Sequence, residues 1–264
     1  AMAKVIVKDL TRFQKEYGTP RKTRIENAKE AVYEEKKIEE MPVVLLMDRF
    51  GYVKTIDVPT YERNQEAADG ESKYVIRGMN TDKLCIFTDK GQMHTVKVLD
   101  LPYGRFRDKG TPLDNISNYN SGEETIVYIN CLGNLLGRKL LFVNSAGMVK
   151  QVDGAEFDVS KRTTAATKLG DGEHLLMVEM LSESEGESIV LQTERGMFLR
   201  FEVSAIPQKK KGAIGVRGMK IDVKDSLKAA YLLGDEECTI VEKDRQIMLH
   251  RLRIACRDGK GVRK

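Results

Sequence analysis

Basic side chains gather in four clusters, each following a strand-turn-strand unit by a short interval. Arg105, Arg107 and Lys109 flank Phe106; Lys161, Arg162 and Lys168 bracket threonines; Lys209, Lys210, Lys211, Arg217 and Lys220 crowd a glycine-rich segment; Arg251 and Arg253 open a tail that also holds Arg257, Lys260, Arg263 and Lys264. Singly, each cluster reads as a solubilising loop. Recurring after the same unit, they read as one site distributed over several loops. Its chemistry is the neutralisation of a polyanion by exposed cations, helped by glycines that let backbone N–H groups come close to a phosphate. Phe106, an aromatic between strands, reads as core.

No other chemistry is offered. His94, His174 and His250 stand far apart, each in or beside an apolar-polar alternation, where a lone histidine is a packing or surface residue. No nucleophile elbow, P-loop or dinucleotide fingerprint follows a strand in a helix-forming context. Gly212-Ala213-Ile214-Gly215 has neither a Lys-Ser/Thr after it nor an apolar strand before it. The acidic residues Glu173, Glu179, Glu183, Glu185 and Glu187 lack the compact spacing of a calcium loop and read as a solvated edge. Cys85, Cys131, Cys238 and Cys256 form no C-x-x-C pair and read as structural thiols.

The elements that must carry the basic loops share one grammar. An apolar run is followed by an acidic or small polar residue, a glycine, and an apolar-polar alternation. It reads Asp48-Arg49-Phe50-Gly51-Tyr52-Val53-Lys54, then Asp89-Lys90-Gly91-Gln92-Met93, Ser145-Ala146-Gly147-Met148-Val149 and Glu194-Arg195-Gly196-Met197-Phe198. A fifth copy at Lys243-Asp244-Arg245-Gln246-Ile247 has lost its glycine. Glycine fits a tight hairpin because positive φ costs it nothing. Successive turn glycines lie 40, 56 and 49 residues apart, the period of a propeller blade. The fold expected is all-β: about five four-stranded, propeller-like blades, with room for a sixth beginning at Asp258. Polar loops are expected over Asn64–Lys73, Arg105–Asn120, Ser160–Lys168 and Gln208–Lys220. Equivalent loops of successive blades would share a rim and form a positive belt, suited to duplex DNA bent over it. Such binding is sequence-tolerant and steeply salt-dependent, and bending a site of a few tens of base pairs costs on the order of 1–6 kcal/mol.

The first forty residues differ. Asp9, Leu10, Phe13 and Tyr17 suggest a short helix ending near Gly18-Thr19-Pro20, and Thr23–Glu40 reads as a second helix rich in Glu, Lys and Ala. The expected division is a helical neck over 1–40 and a β domain over 41–264. Forty-four basic against 40 acidic residues leave a net charge of only +4. No run approaches the roughly 18 apolar residues of a membrane helix and no signal peptide is visible, so a cytoplasmic protein without a membrane partner is expected.

The D-x-x-G-x-[VM]-K hairpin at Asp48–Lys54 and its looser repeats resemble the C-terminal domain of bacterial type IIA topoisomerase A subunits. Tyr17-Gly18-Thr19-Pro20-Arg21-Lys22-Thr23-Arg24-Ile25 is similar to the family's F/Y-G-D-x-R-R-T-x-I linker, with Thr19 for its Asp and Lys22 for its second Arg. The resemblance implies a β-pinwheel whose blades exchange strands, binding and wrapping DNA without catalysis of its own. It implies two protein partners: the catalytic core that precedes the domain in its own polypeptide, and a separate ATPase chain, the B subunit. ATP and Mg are needed only by that holoenzyme. The fragment itself is expected to be a monomer without cofactor. Gyrases carry Q-[RK]-R-G-G-[RK]-G after the first hairpin of this domain; here that loop reads Tyr61-Glu62-Arg63-Asn64-Gln65-Glu66-Ala67-Ala68-Asp69-Gly70, and Gln208–Gly215 is only an echo. The departure favours a topoisomerase IV type over gyrase. A scaffold for protein partners is the alternative of another class.

Overall fold

The computed structural model describes residues 2–20, 22–23, 38–182, 186–234, 237–242 and 244–264, and the chain divides into two units, Ala1–Ile38 and Glu39–Lys264. The first holds α1 (Met2–Tyr17), the helix expected around Leu10 and Phe13. It ends where Gly18 donates its N–H to the Gln14 carbonyl (3.0 Å). Most of the second expected helix, Thr23–Glu40, lies over 24–37 outside the described residues; residues 23 and 38–40 at its ends are not helical.

The second unit repeats one hairpin. β1 (Pro42–Asp48) and β2 (Tyr52–Asp57) are followed by α2 (Val58–Arg63), α3 (Gln65–Glu71) and β3 (Ser72–Met79). β4 (Lys83–Thr88) and β5 (Gln92–Lys97) lead to β6 (Thr111–Pro112), α4 (Leu113–Ile116), β7 (Ile126–Cys131) and α5 (Leu132–Leu135). β8 (Lys139–Asn144) and β9 (Met148–Asp153) lead to β10 (Thr163–Ala165) and β11 (Leu175–Met180). β12 (Ser188–Thr193) and β13 (Met197–Glu202) lead to β14 (Val216–Arg217) and β15 (Leu227–Leu233). β16 (Thr239–Glu242) and β17 (Arg245–Met248) precede β18 (Val262–Arg263).

Among the described residues four four-stranded antiparallel sheets result, ordered β3-β1-β2-β6, β7-β4-β5-β10, β11-β8-β9-β14 and β15-β12-β13-β18, with β16-β17 as a further two-stranded sheet. The outermost strand of each four-stranded sheet comes from the chain that follows the next hairpin. β6, for example, lies after β4 and β5 in sequence yet pairs with β2. This exchange makes the array a pinwheel of interlocked blades.

The turns work as their glycines require. Gly51, Gly91, Gly147 and Gly196 sit at φ 83°, 70°, 77° and 77°, a region costly to residues with a β-carbon. In the fifth hairpin Asp244 takes that conformation at φ 62°, a place aspartate tolerates better than most. Among the described residues this fifth sheet is a shortened, two-stranded copy.

The strands of the first four hairpins are largely buried on both faces, which explains their continuous apolar runs. Val43, Leu45, Met47 and Val53 pack against Leu84, Ile86 and Val96 of the next hairpin. Cys85, Phe87 and Met93 meet Leu140, Phe142 and Val152, and Leu141, Val143 and Val149 meet Ile189, Leu191 and Leu199. Val190 and Phe198 meet Leu249 and Leu252. Cys85 and Cys131 are buried, and burial pushes both thiols up to about 12, which makes them inert; Cys256 is exposed.

The outer face of the first sheet is closed differently. Val44, Leu46 and Ile56 pack under Tyr61 of α2 and Ala68 of α3. The stretch Asn64–Lys73, expected as a polar loop, is instead a helical cover with its own signals. Asp57 caps α2 by accepting from Thr60 N (2.6 Å), Pro59 lies in the first turn, and Tyr61 donates its hydroxyl to Asp69 (2.8 Å). Among the described residues no apolar cluster joins the fifth hairpin to the first sheet.

Candidate nucleic-acid interface

The chain that follows each hairpin returns to the preceding one, and three of these returns have one geometry. Tyr103 bridges Thr55, Gln208 bridges Gln151 and Ile254 bridges Arg200, all in parallel sense. The next residue then donates its N–H back to the same strand: Gly104 to the Thr55 carbonyl, Lys209 to Gln151, Ala255 to Arg200. The chain bulges out and rejoins as a strand where Thr111 pairs with Val53, Val216 with Val149 and Val262 with Phe198. The bulges are 104–110, 209–215 and 255–261, seven residues each, and each ends in glycine.

That last glycine is obligatory. A β-carbon on Gly110, Gly215 or Gly261 would stand 2.3, 2.6 or 2.6 Å from the carbonyl oxygen of Val53, Val149 or Phe198. Such backbone crowding has no cheap relief. The second hairpin lacks the bulge: Thr95 donates its N–H to the Arg162 carbonyl (2.9 Å) and Thr163 pairs with His94 at once.

The basic residues fall unevenly on this frame. Arg105, Arg107 and Lys109 are exposed on the 104–110 loop, with Phe106 half-buried between them against the α2–α3 cluster. Asp108 shapes that loop by accepting from Arg105 N (2.7 Å). Lys209 and Lys210 are exposed on the 209–215 loop. Lys211 is half-buried and engaged, its N–H on the Glu156 carboxylate (2.8 Å) and its Nζ on the Glu156 carbonyl (2.7 Å).

Arg217 forms a two-point pair with Asp258, Nη2 to Oδ2 at 3.0 Å and Nε to Oδ1 closer still. The bond raises the guanidinium pKa and lowers that of the carboxyl. Arg257 on the 255–261 loop donates to the Ala205 carbonyl (3.1 Å) and to the Arg217 carbonyl (2.6 Å). Lys161 and Arg162 lie where the direct return docks, their side chains exposed and the Lys161 carbonyl held by Thr95 Oγ1 (3.1 Å). Lys168, Lys220, Arg251 and Arg253 are exposed.

Two cations that composition alone does not single out lie beneath the bulges. Lys54 and Lys150 each follow a turn glycine by three residues, at the K of the hairpin motif, and pair across the hairpin with Leu46 and Phe142. Lys150 is 1% exposed, with its ammonium over the Phe142 ring (5.3 Å). It donates to the carbonyls of Lys211 and Ala213, the latter at 2.8 Å. Lys54 donates to the carbonyls of Phe106 and Asp108, the latter at 3.0 Å. At the same register the second hairpin has His94, buried with Nδ1 on Thr163 Oγ1 (3.0 Å) and Nε2 at Glu124 (2.8 Å), and the fourth has Leu199. The clue was in the sequence: a lysine as the third residue of the first and third alternations, inside strands otherwise rich in apolar side chains.

Two of the acidic residues, Glu173 and Glu187, act as braces. Glu173 accepts from Gly170 N (2.9 Å) and from Asn144 Nδ2 (2.8 Å), and Glu187 from Ser182 N (3.2 Å). Glu183 and Glu185 lie outside the described residues. Among the described residues no group of three or more His, Cys, Asp or Glu side chains could hold a metal ion, and no helix is long and apolar enough to cross a membrane.

A family model described as the DNA gyrase C-terminal domain, beta-propeller, matches residues 138–178 and 187–233, the third and fourth repeats. The A subunit of DNA gyrase from Lawsonia intracellularis is 28% identical over 278 residues, covering 98% of this chain and 34% of that protein. The chain thus spans about a third of the length of the curated relatives it matches. A crystal structure of the C-terminal domain of DNA topoisomerase IV superposes with a TM-score of 0.73 at 23% identity, over 85% of this chain and 73% of that one. The E. coli ParC C-terminal domain superposes at 0.69 and 20% identity, over 85% and 94%.

Proposed function

From a chain that is a relative of the C-terminal domains of type IIA topoisomerase A subunits, we propose that this one binds duplex DNA without sequence preference and without catalysis. The observation that carries the reading is the repeated seven-residue bulge, hung at one register on three hairpins and carrying exposed cations. Loop 104–110 exposes three cations and 209–215 exposes two, with Lys211 turned onto the Glu156 carbonyl, whereas 255–261 holds two in all, one of them turned onto backbone carbonyls. The first two loops therefore supply most of the phosphate contacts. Arg217 contributes less than its charge promises, because a phosphate must compete with Asp258.

Titration of the chain with random-sequence duplex at two salt concentrations tests this. Expected is a log-log salt slope of about −0.9 for each phosphate neutralised, and a shallower slope with weaker binding when Lys209 and Lys210 are reversed to Glu. Salt-insensitive binding, or none at low salt, sinks the proposal in favour of a protein scaffold. In the full-length protein the domain would serve an ATP-dependent topoisomerase built from the catalytic core of its own polypeptide and a separate ATPase chain, with ATP and Mg bound outside this region. We read that enzyme as of the topoisomerase IV type. Support comes from the first loop, which has no Q-[RK]-R-G-G-[RK]-G sequence and is spent on covering the first sheet; the gyrase names of the curated relatives weigh the other way.

A further inference from the structure

The ammonium groups of Lys54 and Lys150 both grip the third and fifth carbonyls of their bulges; Lys150 also reaches the Lys210 carbonyl at 3.5 Å. Counted from the start of each bulge, the third and fifth residues are Phe106 and Asp108 in one, Lys211 and Ala213 in the other. In a trans peptide the N–H points opposite to its carbonyl. Carbonyls turned inward onto an ammonium therefore turn the N–H groups of Arg107 and Lys109, and of Gly212 and Ile214, away from it. All four residues are exposed, and none of these N–H groups donates within the protein among the described hydrogen bonds.

We infer that Lys54 and Lys150 are positioning residues for DNA phosphate. Each spends its own charge on loop carbonyls and so presents a pair of outward backbone N–H donors among the exposed cations. This inference rests on the DNA reading above. The lysine occurs on the two hairpins whose bulge carries three cations, and is absent where the bulge is missing (His94) or carries two (Leu199). Three like charges on one short loop repel and favour spreading; a clasp on the backbone opposes that spreading without touching the side chains. Paired N–H groups with flanking cations form an anion-binding concavity of the kind that receives a phosphate oxygen. The ammonium itself, buried in the third repeat, does not contact DNA.

A double-mutant cycle on the whole chain tests the inference: Lys150→Met, Lys209→Ala with Lys210→Ala, and the combination, titrated with random-sequence duplex below the melting transition. Amide hydrogen exchange of the 209–215 loop is followed in parallel. Lys150→Met should weaken binding roughly tenfold and flatten the salt slope, speed exchange throughout the loop, and cost far less once Lys209 and Lys210 are gone. Lys150→Arg, which keeps donors at the site, should recover part of the loss. Additive losses in the cycle, or full affinity in a cooperatively folded Lys150→Met chain, overturn the positioning role. Should Lys150→Met fail to fold, Lys54→Met with exchange of the 104–110 loop decides by the same criteria. Unchanged loop exchange in these variants overturns the clasp whatever DNA does. Absence of DNA binding by the unaltered chain overturns the reading beneath it, whereas loosened exchange in the variants would still uphold the clasp.

Discussion

Lys150 is an ammonium withdrawn from water, and its surroundings define a titration. The charged group acting on it is Glu156, and its direct partners are the carbonyls of Lys210, Lys211 and Ala213. Burial pushes its pKa down to about 8, while Glu156 works in the opposite direction. The folded-state value thus lies below the ordinary lysine value. Between the two, the unfolded chain binds a proton that the folded chain has shed, so stability rises with pH across that window and the cost of the buried charge is borne in full below it. Urea unfolding should show the unaltered chain gaining on Lys150→Met between about pH 8 and about pH 10, by up to about 3 kcal/mol. A constant difference across that range would mean that Lys150 stays protonated. Lysine at this depth was not legible from the sequence, because the strand alternation assigns a face but cannot say that a neighbouring repeat will lay its carbonyls over that face.

At the scale of elements, α2 and α3 cover the first sheet as a capping repeat covers the end of a solenoid. Tyr61 is the anchor: 4% exposed, bonded to Asp69, with the Arg77 guanidinium 5.4 Å from its ring centroid. Tyr61→Ala should cost roughly 3–5 kcal/mol in urea unfolding, because Val44, Leu46 and Ile56 lose their cover. Duplex affinity in the folded state should be unaffected, and a fall in affinity without loss of stability would place α2–α3 in the interface instead. The hairpins themselves were legible because a turn at positive φ admits few residues, and the apolar runs before them repeat. The helical cover was not, since Asn64-Gln65-Glu66-Ala67-Ala68-Asp69-Gly70 is polar enough to pass for a loop, and only Asp57-Val58-Pro59 announced a cap. The seven-residue bulges were half legible. Their charges stood out, but the equal lengths emerge only when the bridges at Thr55, Gln151 and Arg200 fix where each begins. The fifth hairpin closes through Asp244 at the positive φ that the turn glycines take, and its strands are four residues each.

For the whole molecule, the basic bulges belong to repeats one step later in sequence than the hairpins that hold them. The topoisomerase IV reading makes a prediction at this scale. Full-length enzyme with its ATPase partner should relax and decatenate DNA on adding ATP without introducing negative supercoils; gel-resolved topoisomers carrying net negative supercoils would assign it to the gyrase type. The exchange of β6, β10, β14 and β18 also has a mechanical side. A bent duplex tries to straighten, and it would pull on whatever holds it. The 209–215 loop is covalently part of the fourth repeat, while its hydrogen bonds and its clasp belong to the third. Tension on that loop is therefore shared by two adjacent repeats.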